Sequence, residues 1–268
     1  MSSPLISVSE LSALLGTVTL PDVRYRMGGP TGRDEFSAGH VPTAAYVDMD
    51  TQLSSAPGDP VDERGRHPLP DPDVFLAAMR ASGVSADVPV VVYDDWQGRA
   101  AGRAWWLLRD YGHPDVRVLD GGWTAWVEAG GSVSTENEPP VVGDFEGRPG
   151  TLRVVDASNV ADVEVLVDAR APERYRGDVE PIDPVAGHIP GAVNVDTSRN
   201  PAPDGTFWSA DELRDLYASV GAVPGADVAA YCGSGVTATH DLLALAVAGV
   251  DAALYPGSWS GFVARPAR

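Results

Sequence analysis

The sequence predicts an α/β protein built from two tandem domains, each with a mainly parallel sheet and helices on both faces. Two observations predict this class. Short apolar runs rich in valine and alanine alternate with amphipathic stretches, an order typical of parallel sheets covered by helices. Short segments of the first half also return in the same order in the second half, which indicates a duplicated domain.

Four pairs of segments make up this repeat. They are 22–24 (DVR) with 168–170 (DAR), 38–42 (AGHVP) with 186–190 (AGHIP), 92–94 (VYD) with 230–232 (AYC), and 120–123 (DGGW) with 256–259 (PGSW). Four ordered matches are hard to obtain by chance, and 268 residues are enough for two domains. We therefore predict a first domain at 1–130, a linker at 131–150 that is rich in Gly, Pro, Ser and Glu, and a second domain at 151–268.

Local patterns predict the individual elements. Continuous apolar runs, as in strands buried on both faces, occur at 88–93, 163–167, 228–231 and 252–255. Helical patterns occur at 73–81, 100–110 and 239–248. Two further helix starts are predicted by serines that have a glutamate three residues later, the capping-box pattern: Ser7 with Glu10, and Ser209 with Glu212.

Composition excludes several function classes. The formal net charge of −19 argues against a nucleic-acid-binding surface, which needs clustered positive charge. No run of about 18 apolar residues occurs, so we predict no membrane contact, and the N-terminus shows no signal-peptide pattern. The sequence contains no lysine, which excludes Schiff-base chemistry on lysine and a Walker-type phosphate loop.

Cysteine usage narrows the chemistry further. Cys232 is the single cysteine, so an intramolecular disulfide is impossible and a cysteine-based metal cluster nearly so. We predict neither a metal nor a cofactor, and we expect the chain to work in a reducing cytoplasm.

The segment 231–238 (YCGSGVTA) carries the chemistry that the sequence predicts. It joins a buried strand to an apolar helix, and Gly233 and Gly235 allow successive backbone N–H groups to point inward. With the positive end of the helix close by, Cys232 is expected to be rich in thiolate at neutral pH. The alternative is that Cys232 is a small buried hydrophobic side chain, but the Gly-Ser-Gly loop favours a reactive thiol.

Along almost its whole length the chain resembles the two-domain rhodanese-like sulfurtransferases. The repeated Gly-His-Val/Ile-Pro segments, the Asp94-Asp95 strand end and the Gly-Gly-Trp segment carry the resemblance, and the loop 232–237 (CGSGVT) is similar to that of the 3-mercaptopyruvate sulfurtransferases. The resemblance implies tandem rhodanese-like domains with the catalytic site in the second copy. In the first copy Asp94 takes the cysteine's position, which implies an inactive domain.

The resemblance also implies roles for individual residues. Cys232 would be the nucleophile that becomes a persulfide, and Ser234 would form a proton relay with His67 and Asp50, both assigned to the first domain. Donor binding would fall to Arg174, Arg176, Gly233, Gly235, Val236 and Thr237. The expected reaction moves sulfur from 3-mercaptopyruvate to a thiol acceptor such as thioredoxin, or to cyanide.

One departure from the family pattern affects the donor. Asp183 stands where those enzymes generally carry a second arginine, and an aspartate cannot bind a carboxylate. Thiosulfate sulfurtransferase activity is therefore the alternative, although thiosulfate-preferring members usually carry basic residues in a loop that is uncharged here. A cysteine phosphatase is disfavoured because Ala238 replaces the arginine it needs, and a noncatalytic binding module is disfavoured by the intact Cys232 loop.

Overall fold

The fold is described from a computed structural model, which describes residues 3–26 and 28–265. Contacts divide the chain into two units. Unit 1 comprises Met1–Ser54, Pro70–Leu152 and Pro203–Thr206, and unit 2 comprises Ser55–Leu69, Arg153–Ala202 and Phe207–Arg268. The Ser55–Leu69 segment, which the sequence analysis placed in the first domain, thus makes its contacts with the second unit. The domain boundaries given above stay predictions.

Unit 1 is an α/β layer structure whose strands all run parallel. Its strands are β1 (Leu5–Ile6), β2 (Pro21–Asp22), β3 (Ala45–Tyr46), β4 (Val90–Val92) and β5 (Val116–Leu119). Its helices are α1 (Val8–Leu14), α2 (Gly32–Ala38), α3 (Pro72–Ala81), α4 (Ala101–Asp110) and α5 (Gly122–Glu128). The strands pair in the order β1-β5-β4 and β2-β3, and parallel bridges from Thr19 to Val90 and from Asp22 to Tyr93 join the two groups.

Unit 2 repeats this arrangement. Its strands are β6 (Val165–Asp168), β7 (Val193–Asn194), β8 (Val228–Tyr231) and β9 (Ala252–Leu254), and its helices are α6 (Pro172–Arg176), α7 (Ala210–Ala218), α8 (Ala238–Ala248) and α9 (Ser258–Val263). All its strand pairs are parallel, in the order β7-β6-β8-β9. Every residue of β8 is fully buried, which requires cover on both faces of the sheet. The predicted fold class is confirmed.

Helix starts and strands follow the local signals closely. Ser7 and Ser209 both form complete capping boxes, at the starts of α1 and α7. The apolar run at 88–93 yields a strand of three residues, β4, and Tyr93 extends its pairing through the bridge to Asp22. Among the described residues, no helix is both long enough and apolar enough to cross a membrane.

The repeated segments make the same contacts in both units. Arg24 binds Asp22 with two nitrogens and donates to Gly39 O at 2.7 Å. Arg170 likewise binds Asp168 and donates to Gly187 O at 2.7 Å. These buried pairs tie the end of a central strand to the turn of the Gly-His-Pro segment, so the repeat in sequence encodes a repeated structural element.

Asp94 follows β4 and fills a cradle of backbone N–H groups with its own carboxylate. Oδ1 accepts from Trp96 N at 2.9 Å and from Gly98 N at 2.8 Å. Oδ2 accepts from Ala100 N at 2.7 Å and from Ala101 N at 2.8 Å. In unit 1 these N–H groups are therefore already bonded to an internal carboxyl group and are not available to an external anion.

Replacing Asp94 with alanine should lower the free energy of unfolding by about 2 kcal/mol, because four N–H donors, three of them buried, lose their acceptor. Asp94→Asn keeps one acceptor oxygen and should lose less. Chemical denaturation of the full chain measures both changes. Asp115→Ala, which removes a half-exposed partner of Arg117, is the matched control and should change stability by under about 0.5 kcal/mol. Equal losses for Asp94→Ala and the control would show that the cradle contributes little.

Candidate functional site

The site is built on the loop 232–237, which leaves the end of β8 and enters the start of α8. Gly235 adopts φ +82°, a left-handed conformation that favours glycine. A Cβ on Gly235 would lie 2.4 Å from Pro256 O, so no side chain fits there. Val236 O accepts from both Thr239 N and Thr239 Oγ1, which fixes the turn into the helix.

Cys232 is held in place by backbone contacts, and its side chain is 2% exposed. Its N–H donates to Ser258 Oγ at 3.1 Å, and its carbonyl accepts from Trp259 N at 3.0 Å. Gly235 N donates to Cys232 Sγ at 3.1 Å. The Gly235 N–H therefore points at the sulfur and can donate to negative charge that develops there during a reaction.

The equivalent atoms of unit 1 show what Cys232 replaces. Trp123 N donates to Asp94 O at 2.7 Å, the same contact that Trp259 N makes with Cys232 O. Asp94 and Cys232 therefore occupy the same position in their repeats. In unit 1 a carboxylate fills the loop, whereas in unit 2 a sulfur lies at its start.

Ser234 and His67 form a direct contact beside the cysteine. Ser234 Oγ lies 2.8 Å from His67 Nδ1, with Ser234 buried and His67 half-buried. Depending on the ring tautomer, the hydroxyl donates to the ring nitrogen or accepts from it. The structure thus brings together Cys232, Ser234 and His67. Asp50 is exposed and belongs to unit 1, and its part in the relay stays a prediction.

Arg174 on α6 is positioned by Glu180. Nε and Nη2 of Arg174 donate to the two oxygens of Glu180 at 3.2 and 2.6 Å. Burial alone would raise the pKa of Glu180, but the hydrogen bonds from Arg174 and from backbone N–H groups outweigh it and lower this pKa overall. Arg176, by contrast, is exposed and donates to Asp178 at 2.8 Å, so the geometry lends no support to its predicted role in donor binding.

Arg66 is a site residue that the sequence analysis missed. Its guanidinium forms an ion pair with Asp183, the residue that stands where a second arginine was expected. Burial raises the pKa of Asp183 above its ordinary value, although Arg66 and Arg174 beside it act in the opposite direction. The structure thus places the Arg66 guanidinium beside Asp183, the residue that stands where the resemblance implied a second arginine. The sequence held only a weak indication of this, the position of Arg66 next to His67.

A parallel α/β unit with a cysteine in an N–H-lined loop between strand and helix has the arrangement of an enzyme domain in which a thiol can act as a nucleophile. Comparison with known proteins identifies the family within this class. The family model described as rhodanese-like domain matches residues 7–129 and 154–265. The chain belongs to this family, in two copies, and is a sulfurtransferase.

Relatives and solved structures agree on this family. The chain is 44% identical over 275 residues to a Mycobacterium tuberculosis protein, SseB, provisionally named a thiosulfate sulfurtransferase; the match covers 98% of this chain and 95% of the relative. It is 40% identical to a protein of Pseudomonas aeruginosa named as a probable 3-mercaptopyruvate sulfurtransferase, and the match covers 100% of this chain and 97% of that relative. The crystal structure of Escherichia coli SseA, described as a 3-mercaptopyruvate sulfotransferase, matches with a TM-score of 0.83 at 30% identity. The match covers 97% of this chain and 100% of SseA.

Proposed function

We propose that the chain moves a sulfur atom from the thiol group of 3-mercaptopyruvate to an acceptor through a persulfide on Cys232. The single observation that carries this proposal is the 2.8 Å contact between Ser234 Oγ and His67 Nδ1 in an uncharged loop beside the cysteine. A donor that arrives as a thiol needs a proton moved during transfer, and a hydroxyl–imidazole pair can move one.

The first half-reaction balances without a cofactor. The Cys232 thiolate attacks the donor sulfur, the S–S bond forms, and the C–S bond of mercaptopyruvate breaks with its electron pair left on carbon. The resulting enolate takes a proton and becomes pyruvate, while the donor's thiol proton is lost from the sulfur. The Ser234–His67 pair accepts and returns this proton, and Asp50 is proposed to orient the histidine. Gly235 N–H donates to Cys232 Sγ and stabilises its negative charge until the S–S bond forms.

In the second half-reaction an acceptor thiolate attacks the outer sulfur of the persulfide, forms a new persulfide and releases the Cys232 thiolate. Thioredoxin is a suitable thiol, and cyanide would give thiocyanate. The single cysteine supports the proposal that this takes place in a reducing cytoplasm, because an unpaired reactive thiol persists there.

Donor choice follows from the charges near the loop. The loop 232–237 contains no charged side chain, and Arg174 and Arg66 are both already paired with carboxylates. Such a site suits one carboxylate better than the compact dianion thiosulfate. Thiosulfate remains the alternative donor, which the name of the Mycobacterium tuberculosis relative supports.

A two-donor assay tests the proposal. Mercaptopyruvate and thiosulfate are supplied at equal concentration with cyanide as acceptor, pyruvate release is followed for the first donor, and thiocyanate formation for both. We expect the larger kcat/KM with mercaptopyruvate. A larger kcat/KM with thiosulfate would overturn the donor assignment and establish the alternative.

Substitution of His67 with alanine should slow mercaptopyruvate turnover by about 100-fold, the scale of a lost proton-transfer group, and thiosulfate turnover much less. His67→Asn is the matched control, because its amide can still hydrogen-bond Ser234 but cannot carry a proton; it should be as slow as alanine. The ratio of the two donors' kcat values is the measurement. A loss shared equally by both donors would remove the relay role and leave only a structural one.

A further inference from the structure

The guanidinium groups of Arg66 and Arg174 both lie over the residue that follows the nucleophile. A Cβ built on Gly233 would be 3.1 Å from Arg66 Nη2 and 3.5 Å from Arg174 Nη1. Two cationic groups therefore border the loop at the same point, one residue from Cys232. Gly233 leaves the space between them and the backbone open.

Arg66 is fixed in this position from both ends. Its backbone N–H donates to Ser260 Oγ on α9 at 3.1 Å. The preceding Gly65 adopts φ +81°, and a Cβ there would lie 2.5 Å from Gly257 O, so the Ser55–Leu69 segment lies directly on the start of α9. At the other end Asp183 holds Nη1 of the guanidinium. The side chain is thus oriented in advance, which reduces the entropy lost on binding an anion.

Each guanidinium has at least one nitrogen that lies next to the loop and is not bonded to a carboxylate. Asp183 takes Arg66 Nη1, and Glu180 takes Arg174 Nε and Nη2. Within the described part of the chain, Arg66 Nη2 and Arg174 Nη1 have no hydrogen-bond acceptor, and these two atoms are next to Gly233. Two such donors can take the two oxygens of one carboxylate.

The carboxylates behind the arginines form one connected unit. Asp183 N donates to Glu180 Oε1 at 3.1 Å, and Arg174 Nη2 lies 3.6 Å from Asp183 Oδ2. Arg170 also contacts Glu180 and is itself paired with Asp168, so three arginines and three carboxylates balance in this group. A bound monoanion adds a single charge to this neutral group, whereas a dianion adds two.

We propose that Arg66 binds the donor's carboxylate together with Arg174, and that Asp183 is a positioning residue that aims Arg66 at the loop. This rests on the proposed function, since it takes a carboxylate-bearing donor as the ligand. Asp183 then contributes to the anion site indirectly, because it orients Arg66. Asp183→Arg alone would place two cations against each other and should impair donor binding.

Kinetics of four variants test this assignment. Arg66→Ala should raise KM for mercaptopyruvate about tenfold or more with a much smaller change in kcat, as expected for a lost charge-assisted hydrogen bond. Arg66→Asp and Asp183→Arg should each raise KM further. The double variant Arg66→Asp/Asp183→Arg restores the ion pair with its charges exchanged, and it should reverse at least half of the increase in log KM. Arg64→Ala is the control from the same segment, because Arg64 is exposed and paired with Asp62, and it should leave KM unchanged.

Persulfide loading of Cys232, followed by intact mass, separates this inference from the proposed function. If mercaptopyruvate does not load the wild type, the proposed function fails, and the assignment of Arg66 to a donor carboxylate fails with it. If the wild type is loaded and Arg66→Ala keeps the wild-type KM, the assignment of Arg66 is overturned. Failure of the double variant to recover any binding, with each variant folded by circular dichroism, would overturn the positioning role of Asp183.

Discussion

Cys232→Ser should abolish sulfur transfer from either donor and should gain no sulfur on treatment with mercaptopyruvate. Serine is nearly isosteric, and its hydroxyl can still accept the Gly235 N–H that now points at Sγ, so the loop should keep its shape. A hydroxyl at neutral pH is neither ionised nor able to form a stable S–S bond. The loss should therefore be chemical, with no change in folding. Intact-mass spectrometry and turnover are measured in parallel with thermal unfolding.

The wild type is the reference for this experiment. It should gain one sulfur atom, and a reducing thiol should remove it. Because Cys232 is the single cysteine, no other thiol can account for the adduct. An adduct that survives in Cys232→Ser, or turnover that persists there, would show that the sulfur travels by another route.

Gly235→Ala should reduce activity by about 100-fold or more, since the loop must move to accept the new methyl group. The methyl carbon would lie 2.4 Å from Pro256 O, and the residue would also be held at φ +82°. The displaced loop would withdraw the Gly235 N–H from Cys232 Sγ. Turnover at saturating donor is the measurement, together with the rate of persulfide formation.

Gly249→Ala is the control for Gly235→Ala, because it introduces the same backbone strain without a close contact. Gly249 ends α8 with φ +80°, yet a Cβ there meets nothing within 4 Å. It should cost about 1 kcal/mol of stability and leave activity unchanged. If both glycine variants lose activity equally, the close approach to Pro256 is not what shapes the loop.

Structural features that depend on residues close together in the sequence were predictable. Strand β8 has the bounds predicted for it, and both capping boxes form as the Ser-x-x-Glu spacing indicates. The repeated DVR and DAR segments form equivalent buried ion pairs because the residues that pair are two positions apart. The cysteine loop was likewise identified from its glycines and its place between strand and helix.

The anion site was only half predictable, because it depends on contacts distant in sequence. Arg66 and Asp183 are 117 residues apart, and no local pattern links them. Taken alone, Asp183 indicated a missing arginine, and no local pattern marked Arg66 as a site residue. Their pairing also depends on the Ser55–Leu69 segment making its contacts with the second unit, which the position of this segment in the chain did not indicate.

The central claim, a persulfide on Cys232 formed from mercaptopyruvate, is tested most directly by a single turnover without acceptor. The full chain is mixed with excess mercaptopyruvate, released pyruvate is counted, and peptide mapping locates the added sulfur. We expect about one pyruvate per chain in a rapid burst and one sulfur atom on the peptide that contains Cys232. Pyruvate released without sulfur on that peptide, or a chain that thiosulfate loads and mercaptopyruvate does not, would contradict it.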